Sequence, residues 1–411
     1  MSDVAGASPL EVRSLLEPFP PPSSESSLAV ARKGFRPFFL LAGAFAVVAL
    51  LLWMLILLGR ANPGAYFDPI GWHAHEMIFG FAVAVIAGFL LTAVSNWTKQ
   101  ETLVGVPLLA LSALWCAGRV ALFAPELLPR WGPAALDLPF LPVLAAVVAV
   151  PLLRTGNYRN LVFVAILLGL WLTNVMMHLD ALGVWAGARR PASVVSVDLV
   201  VLVILVFAGR VVPMFTRNAT GVQSVRSVPR LDALAAGAMG LVVVLDVAGV
   251  SGPVGAASAG TAAALALVRT LHWGARHTLR TPLLWILHAG YLFIPLGLGL
   301  RACSALFVAV PAVVALHALT VGAIGSVTLG MMARVALGHT GRPLAVRRPV
   351  VASFGLILAA ASARALLPLT GLVSYQSAVL LAGGLWMLAF GIFVAIYGPI
   401  LLGPRADGKE G

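Results

Sequence analysis

The sequence predicts an all-α membrane protein: a polytopic transmembrane bundle of about twelve spans, with both termini in the cytoplasm. Two observations carry this prediction. The 411 residues are 60% hydrophobic and only 10% charged, whereas soluble domains are roughly half apolar and a quarter charged. Apolar stretches of about 20 residues, each long enough to cross a hydrocarbon core of about 30 Å, recur along nearly the whole chain.

Short polar links separate the predicted spans and set the domain organisation. The spans are predicted at 38–58, 75–95, 103–123, 134–153, 160–186, 194–214, 232–250, 253–270, 282–301, 305–333, 349–370 and 376–402. The seventh and eighth are rich in glycine and alanine and are separated only by Ser251-Gly252, so eleven spans is the alternative count. Residues 1–31 are predicted to be a disordered cytoplasmic tail, 32–403 the transmembrane domain and 404–411 a second cytoplasmic tail.

The basic residues indicate topology. The formal net charge is +12, but Lys and Arg are scattered singly between apolar spans, so membrane lipid is the expected partner and nucleic acid is not. Most basic residues of the short links fall on the side shared with the N-terminus, which places both termini inside. Cys116 and Cys303 lie in separate spans, which excludes a disulfide framework and a zinc motif.

Histidines inside the spans are the main sign of chemistry. An ionisable side chain in a spanning helix costs about 2.5 to 3.5 kcal/mol on insertion scales and usually faces the bundle interior. Imidazole is a common metal ligand, an axial haem ligand and a proton carrier. Five histidines qualify, each with a structural, hydrogen-bonded role as the alternative: His73, His75, His178, His288 and His317.

Depth along the predicted spans divides these histidines into two groups. His73, His75 and His178 fall near the outer surface, where three imidazoles could form a copper site with an open position. His288 and His317 fall in the middle or inner half and could ligate one haem between two helices. Since residues two apart point about 200° apart on a helix, only one of His73 and His75 can bind a given metal if both are helical.

Other polar residues could support these sites. Glu76 could orient an imidazole, relay protons or favour a helix N-terminus. Asp198 lies at the outer depth and could accept a hydrogen bond from a ligand, or be solvated at the interface. Arg210, Arg334 and Arg342 lie towards the inner side, where they could pair with haem propionates or extend into the headgroups. His272 and His277 lie in a basic loop, where a solvated role is expected.

Several segments together resemble a known family, NnrS, over essentially everything after the tail. They are Phe35-Arg36-Pro37-Phe38-Phe39, Trp72-His73-Ala74-His75-Glu76-Met77, Arg210 to Asn218, Leu287-His288-Ala289-Gly290-Tyr291 and the long run from His317 to Pro343. Asn174 and His178 also resemble the family's arrangement. Carried onto this chain, the motif positions are His73, His75, Glu76, His178, Arg210, His288, His317, Arg334, His339 and Arg342.

The resemblance implies a multi-pass protein of the bacterial cytoplasmic membrane that contains haem b and copper and is linked to nitric oxide in denitrification or nitrosative stress. The leading hypothesis is therefore a haem-copper protein that binds or processes nitric oxide at a His-ligated metal. The alternative is a proton-coupled transporter of a small solute, metal or haem. No catalytic residue is assigned, and the electron donor could be quinol or a soluble protein.

Overall fold

The computed structural model describes residues 26–62, 64 and 66–409. Within these residues the protein is entirely helical, and they contain no β-strand. Most of the predicted N-terminal tail, residues 1–25, lies outside the described residues, and its last part forms a short 3-10 helix, Ser26–Ala31.

Twelve long helices make up the described part of the chain. They are α1 Phe35–Leu57, α2 Pro69–Thr98, α3 Val106–Phe123, α4 Gly132–Arg154, α5 Tyr158–Ala181, α6 Arg189–Thr220, α7 Pro229–Val247, α8 Gly252–Thr270, α9 Pro282–Leu306, α10 Ala312–His339, α11 Arg348–Ala365 and α12 Tyr375–Leu402. Each overlaps one of the predicted spans.

Nine of these described helices are long and apolar enough to cross a membrane. The prediction of an all-helical, multi-pass protein is therefore confirmed. The other three, α7, α8 and α11, have 19, 19 and 18 residues and carry charged side chains, among them Asp232, Arg269 and Arg364.

The connections gather at two ends of the bundle. At the terminal end, Ala31 accepts a hydrogen bond from the amide of Gly105, and Thr340 accepts one from Ala406. At the opposite end, Arg130 donates to the carbonyl of Leu182. Consecutive helices therefore run in alternate directions between these two ends.

Two helices contain a π-helical turn directly after a histidine. In α2 the turn covers Glu76–Ala82 and follows His75; in α10 it covers Ala318–Gly325 and follows His317. A π-helical turn widens the helix and is frequent at functional sites. Both turns lie within the buried part of the bundle.

Two helix boundaries differ from the sequence prediction. Helix α2 begins at Pro69, because the Asp68 side chain caps it by accepting a hydrogen bond from the Gly71 amide. Helix α10 begins at Ala312, seven residues later than predicted, because α9 continues to Leu306 and a short link ending at Pro311 follows. His317 therefore lies close to the opposite end and not in the inner half.

Candidate metal centre

Two imidazoles and a carboxylate meet near the opposite end of the bundle. His75, Asp137 and His178 each offer a ligand atom within 4.8 Å of the others, and all three are buried. The Asp137 Oδ2 atom lies 3.1 Å from His178 Nε2 and 3.4 Å from His75 Nε2. Two imidazole nitrogens and a carboxylate oxygen form a donor set suited to a first-row transition metal.

Three helices bring these side chains together. His75 precedes the π-helical turn of α2, Asp137 lies just before the turn at residues 138–139 of α4, and His178 lies in the last turn of α5. Helix α3 approaches Asp137 closely at Gly118, where an added Cβ would lie 2.8 Å from Asp137 Oδ1. A residue without a side chain at position 118 therefore makes room for the carboxylate.

Two charged side chains, Arg119 and Glu76, contact the cluster. Arg119 is buried and donates to both Glu76 and Asp137, the former at 2.5 Å. Glu76 Oε1 also lies 2.9 Å from His75 Nδ1. With both carboxylates ionised and both imidazoles neutral, two negative charges face one guanidinium. The site therefore carries one uncompensated negative charge, which favours a bound cation or proton.

The hydrogen bonds of His75 also favour a bound cation. Its Nδ1 faces Glu76, and its Nε2 faces Asn174 Oδ1 at 2.8 Å. The Asn174 amide nitrogen donates to Asp137 Oδ2 at 2.7 Å, which fixes the orientation of the amide. Oxygen atoms thus face both ring nitrogens, but a neutral imidazole can donate only one hydrogen bond. A cation beside Nε2 would satisfy the second nitrogen.

Tyr66 closes the cluster from the loop between α1 and α2. Its hydroxyl lies 2.7 Å from His178 Nδ1. Burial raises the pKa of Tyr66 above its ordinary value, so the phenol keeps its proton. Without metal, the O–H donates to His178 Nδ1, and His178 Nε2–H donates to Asp137.

A family comparison covers nearly the whole chain. The family model described as NnrS protein matches residues 29–405. The chain belongs to the NnrS family. No curated protein matches its sequence. The resemblance found in the sequence motifs is thereby confirmed.

Some of the NnrS motif residues are not part of the metal cluster. His73 stacks on Trp53, with ring centroids 4.4 Å apart, and its Nδ1 has no hydrogen-bond partner in the described residues. It lies within electrostatic range of His317 and Arg364. The structure therefore brings His75 and His178 together and places His73 with His317 instead.

The two histidines expected to share one haem lie at different depths. On the antiparallel helices α9 and α10, Gly290 packs against Ser326. In this register His288 on α9 lies level with Thr328 on α10. Thr328 is eleven residues from His317, which is roughly 16 Å along the helix axis. His288 Nε2 instead lies 3.0 Å from Thr216 Oγ1. The structure does not bring these two imidazoles to one iron.

Other predicted residues have partners elsewhere. Asp198 accepts two hydrogen bonds from Arg301, 3.0 Å each, and also interacts with Asp246, not with the cluster. Arg210 donates to Asn160 at 2.8 Å. The Arg342 guanidinium contacts the Thr340 carbonyl at 3.3 Å, and burial lowers its pKa. His272 and His277 lie in the basic loop, as expected.

Two joined cavities lie between α2, α6 and α10 towards the terminal end. The empty space in them, including the part open to the surroundings, is about 610 and 640 Å³. Each helix contributes residues four apart, which form three facing ridges. These ridges are Phe89, Ala93 and Trp97; Phe207, Val211 and Phe215; and Met331, Val335 and His339.

The larger cavity has polar side chains in its lining, Thr92 and Asn96 on α2 and His339 on α10. His339 lines the larger cavity, and its ring makes no hydrogen bond with the described residues. Buried Arg334 lies over the ring of Phe215, 3.9 Å from the centroid. The smaller cavity is apolar except for Thr328. The space suits a flat, largely apolar ligand with a polar or anionic edge.

Three residues of the metal cluster were not identified from sequence: Asp137, Arg119 and Tyr66. The first two lay inside predicted spans, and an ionisable residue in a span is by itself a sign of function. Applied to every ionisable residue of the predicted spans, this criterion identifies both Asp137 and Arg119. Tyr66 lies in a link and carries no comparable sequence signal.

Proposed function

We propose that this NnrS protein is a haem- and copper-containing membrane protein of nitric oxide metabolism or nitrosative-stress resistance. Its metal centre is formed by His75, Asp137 and His178. The observation that carries the proposal is the convergence of these buried ligands beside Arg119 and Glu76. Bound nitric oxide is the proposed ligand or substrate, and the electron donor is left open.

The donor set fits copper. Imidazole nitrogens bind Cu(II) well, and copper stands highest in the affinity order of divalent first-row metals. When bound, copper would supply a redox-active centre able to take nitric oxide at an open position. The protein's own side chains position the ligands: Glu76 holds His75 through Nδ1, and Tyr66 holds His178 through Nδ1.

The cavity between α2, α6 and α10 fits haem. His339 offers an imidazole that makes no hydrogen bond with other described residues, and Phe89, Trp97 and Phe207 supply flat apolar walls. Arg334 at the edge of the cavity would balance a propionate. We therefore propose His339 as a haem ligand in place of the pair His288 and His317. Haem would supply a second redox centre.

Topology and location follow the same proposal. We propose twelve spans with both termini in the bacterial cytoplasm, in the cytoplasmic membrane. The alternation of twelve long helices between two ends supports an even count. The basic links at 99–105, 221–228, 271–281 and 340–347 all lie at the terminal end, which supports a cytoplasmic position for it.

Metal analysis of purified protein tests the centre. We expect about one copper per chain in the wild type, and loss of most of it in His178→Ala, because one of three ligands is removed. His277→Ala is the matched control, since His277 lies in an exposed link. Copper retained in His178→Ala, or lost equally in both variants, would contradict the assignment. A missing Soret band after expression with sufficient haem would contradict the haem proposal separately.

A proton-coupled transporter is the second candidate, and one observation favours it. A chain of close polar contacts runs from Tyr66 through His178 and Asp137 to His75 and Glu76, with Asp137 Oδ2 and His75 Nε2 3.4 Å apart. Such a chain can relay protons from the opposite end into the bundle. Uptake into proteoliposomes that fails in both His75→Ala and Glu76→Gln, in protein lacking metal, would favour transport over redox chemistry.

A further inference from the structure

A second polar cluster lies at the opposite end of the bundle, apart from the metal centre. It contains His73 on α2, His317 on α10, Arg364 on α11 and Tyr375 on α12. Electrostatic interactions connect the first three residues: Arg364 acts on both imidazoles, and His73 acts on His317. Trp53 of α1 covers one face of His73. Groups from α2, α10 and α11 therefore lie within electrostatic range of one another, and Tyr375 of α12 contacts Arg364.

Arg364 is the decisive residue of this cluster. Only 6% of it is exposed, and its Nη1 atom has no hydrogen-bond partner in the described residues. Its Nη2 donates to the Tyr375 hydroxyl at 2.6 Å, and the guanidinium lies 4.9 Å from the Tyr375 ring centroid. No carboxylate of the described residues pairs with it. A buried charge without a counter-charge is strongly unfavourable.

Two other buried arginines of this protein, Arg119 and Arg269, have the counter-charge that Arg364 lacks. Arg119 pairs with Glu76 and Asp137, and Arg269 pairs with Asp232. Within the described part of the chain, Arg364 instead interacts with the imidazoles of His73 and His317 and the phenol of Tyr375. The cluster therefore attracts negative charge and repels a second cation.

Two further features favour an anion. Among the described residues, the buried His73 Nδ1 has no hydrogen-bond partner, and it can donate a hydrogen bond to a ligand. Tyr375 is the first residue of α12, a helix of 28 residues, so the positive end of that helix lies beside the guanidinium. His317 donates its Nδ1–H to the Val313 carbonyl at 2.8 Å, so its Nε2 donates to an anion only when the ring carries a second proton.

We propose that His73, His317 and Arg364 form a binding site for a small monovalent oxyanion. A planar guanidinium matches two oxygens of a planar oxyanion, such as nitrate or formate, better than it matches a spherical halide. The site is distinct from the copper and haem proposals and does not depend on them. It gives the buried Arg364 the counter-charge that the chain itself does not provide.

Thermal unfolding of the purified full-length protein tests the site. Sodium nitrate would be titrated against sodium gluconate at constant ionic strength, with sodium chloride as a parallel series. We expect nitrate to raise the unfolding midpoint by on the order of 3 °C at saturation. Chloride should need a higher concentration for the same shift, or give a smaller shift. A midpoint that does not respond to nitrate would overturn the proposal, and so would equal responses to nitrate and chloride.

Substitutions separate a specific site from a general salt effect. Arg364→Gln should abolish the nitrate response without lowering the midpoint in gluconate, because it removes an unpaired buried charge. Arg269→Gln, the matched control, should lower the midpoint in gluconate and keep the nitrate response. A nitrate response retained in Arg364→Gln would sink the proposal. Should that variant not fold, Arg364→Lys must bind nitrate at least about tenfold more weakly than the wild type.

His178→Ala distinguishes this site from the metal centre. Because His178 belongs to the metal cluster, the variant should lose copper and still respond to nitrate. Loss of the nitrate response in His178→Ala would place the anion at the metal centre and overturn the separate site.

Discussion

Tyr66 determines how one imidazole of the metal centre can bind a metal. Without metal, its hydroxyl donates to His178 Nδ1 and leaves the proton of that ring on Nε2. If a metal binds Nε2, the ring proton must move to Nδ1. The Nδ1–H can then donate a hydrogen bond to the Tyr66 oxygen. Because burial raises the pKa of Tyr66 above its ordinary value, the phenol keeps its proton. The hydroxyl can therefore support both tautomers.

Tyr66→Phe should weaken copper binding by about 10- to 100-fold without removing a ligand, since partners of ligating histidines typically contribute that much. Competition with a copper chelator on purified protein would measure it. Tyr158→Phe is the control, because Tyr158 is 68% exposed. An unchanged copper affinity in Tyr66→Phe would mean that Tyr66 does not position His178.

Single residues show where sequence reasoning succeeded and where it stopped. His75 and His178 were recognisable because an imidazole inside a span needs a partner. Their grouping with His73 and the pairing of His288 with His317 rested on helix ends that sequence locates only within a few residues. Since each residue advances a helix by 1.5 Å and 100°, the seven-residue shift at the start of α10 places His317 at another depth and beside His73.

At the level of helices, the spans could be predicted because their apolar length is fixed by the membrane. The π-helical turns after His75 and His317 could not, since no residue pattern distinguishes them from ordinary helix. The close approach of α3 to α4 was equally hidden, although it determines the position of Asp137. Helix existence thus follows from composition, whereas helix contact depends on individual small residues.

Gly118→Ala tests this contact between helices. The added methyl group would lie 2.8 Å from Asp137 Oδ1 and 3.1 Å from the Asp137 Cα, so the carboxylate must move. We expect overpacking to destabilise the protein by about 1 to 3 kcal/mol and to lower copper content. Gly355→Ala on α11 is the matched control, because nothing lies within 4 Å of its added Cβ. Equal copper content in the two variants would contradict the placement of Asp137.

Across the whole molecule, the proposed sites divide between the two ends of the bundle. The metal centre and the anion site lie towards the opposite end, whereas His339 and its cavity lie towards the terminal end. If the terminal end is cytoplasmic, copper and the anion are reached from outside and haem lies nearer the inside. The orientation of the chain therefore decides which compartment each site serves.

Labelling of single cysteines in intact cells tests this orientation and the span count together. In a background with Cys116 and Cys303 replaced by Ala, Ser251→Cys reports on the turn between α7 and α8, the two helices whose crossing is least certain from composition. If both cross, a membrane-impermeant maleimide should label Ser251→Cys as strongly as Glu126→Cys, in the link between α3 and α4. Both positions are exposed at the opposite end.

Arg276→Cys is the internal reference, because its exposed link lies at the terminal end. It should be labelled only after lysis. Labelling of Arg276→Cys in intact cells would reverse the orientation, since basic links belong on the cytoplasmic side. Protection of Ser251→Cys while Glu126→Cys is labelled would mean that neither α7 nor α8 crosses, which would reduce the count to ten while leaving both termini inside. The same experiment thus separates an error in orientation from an error in the number of spans.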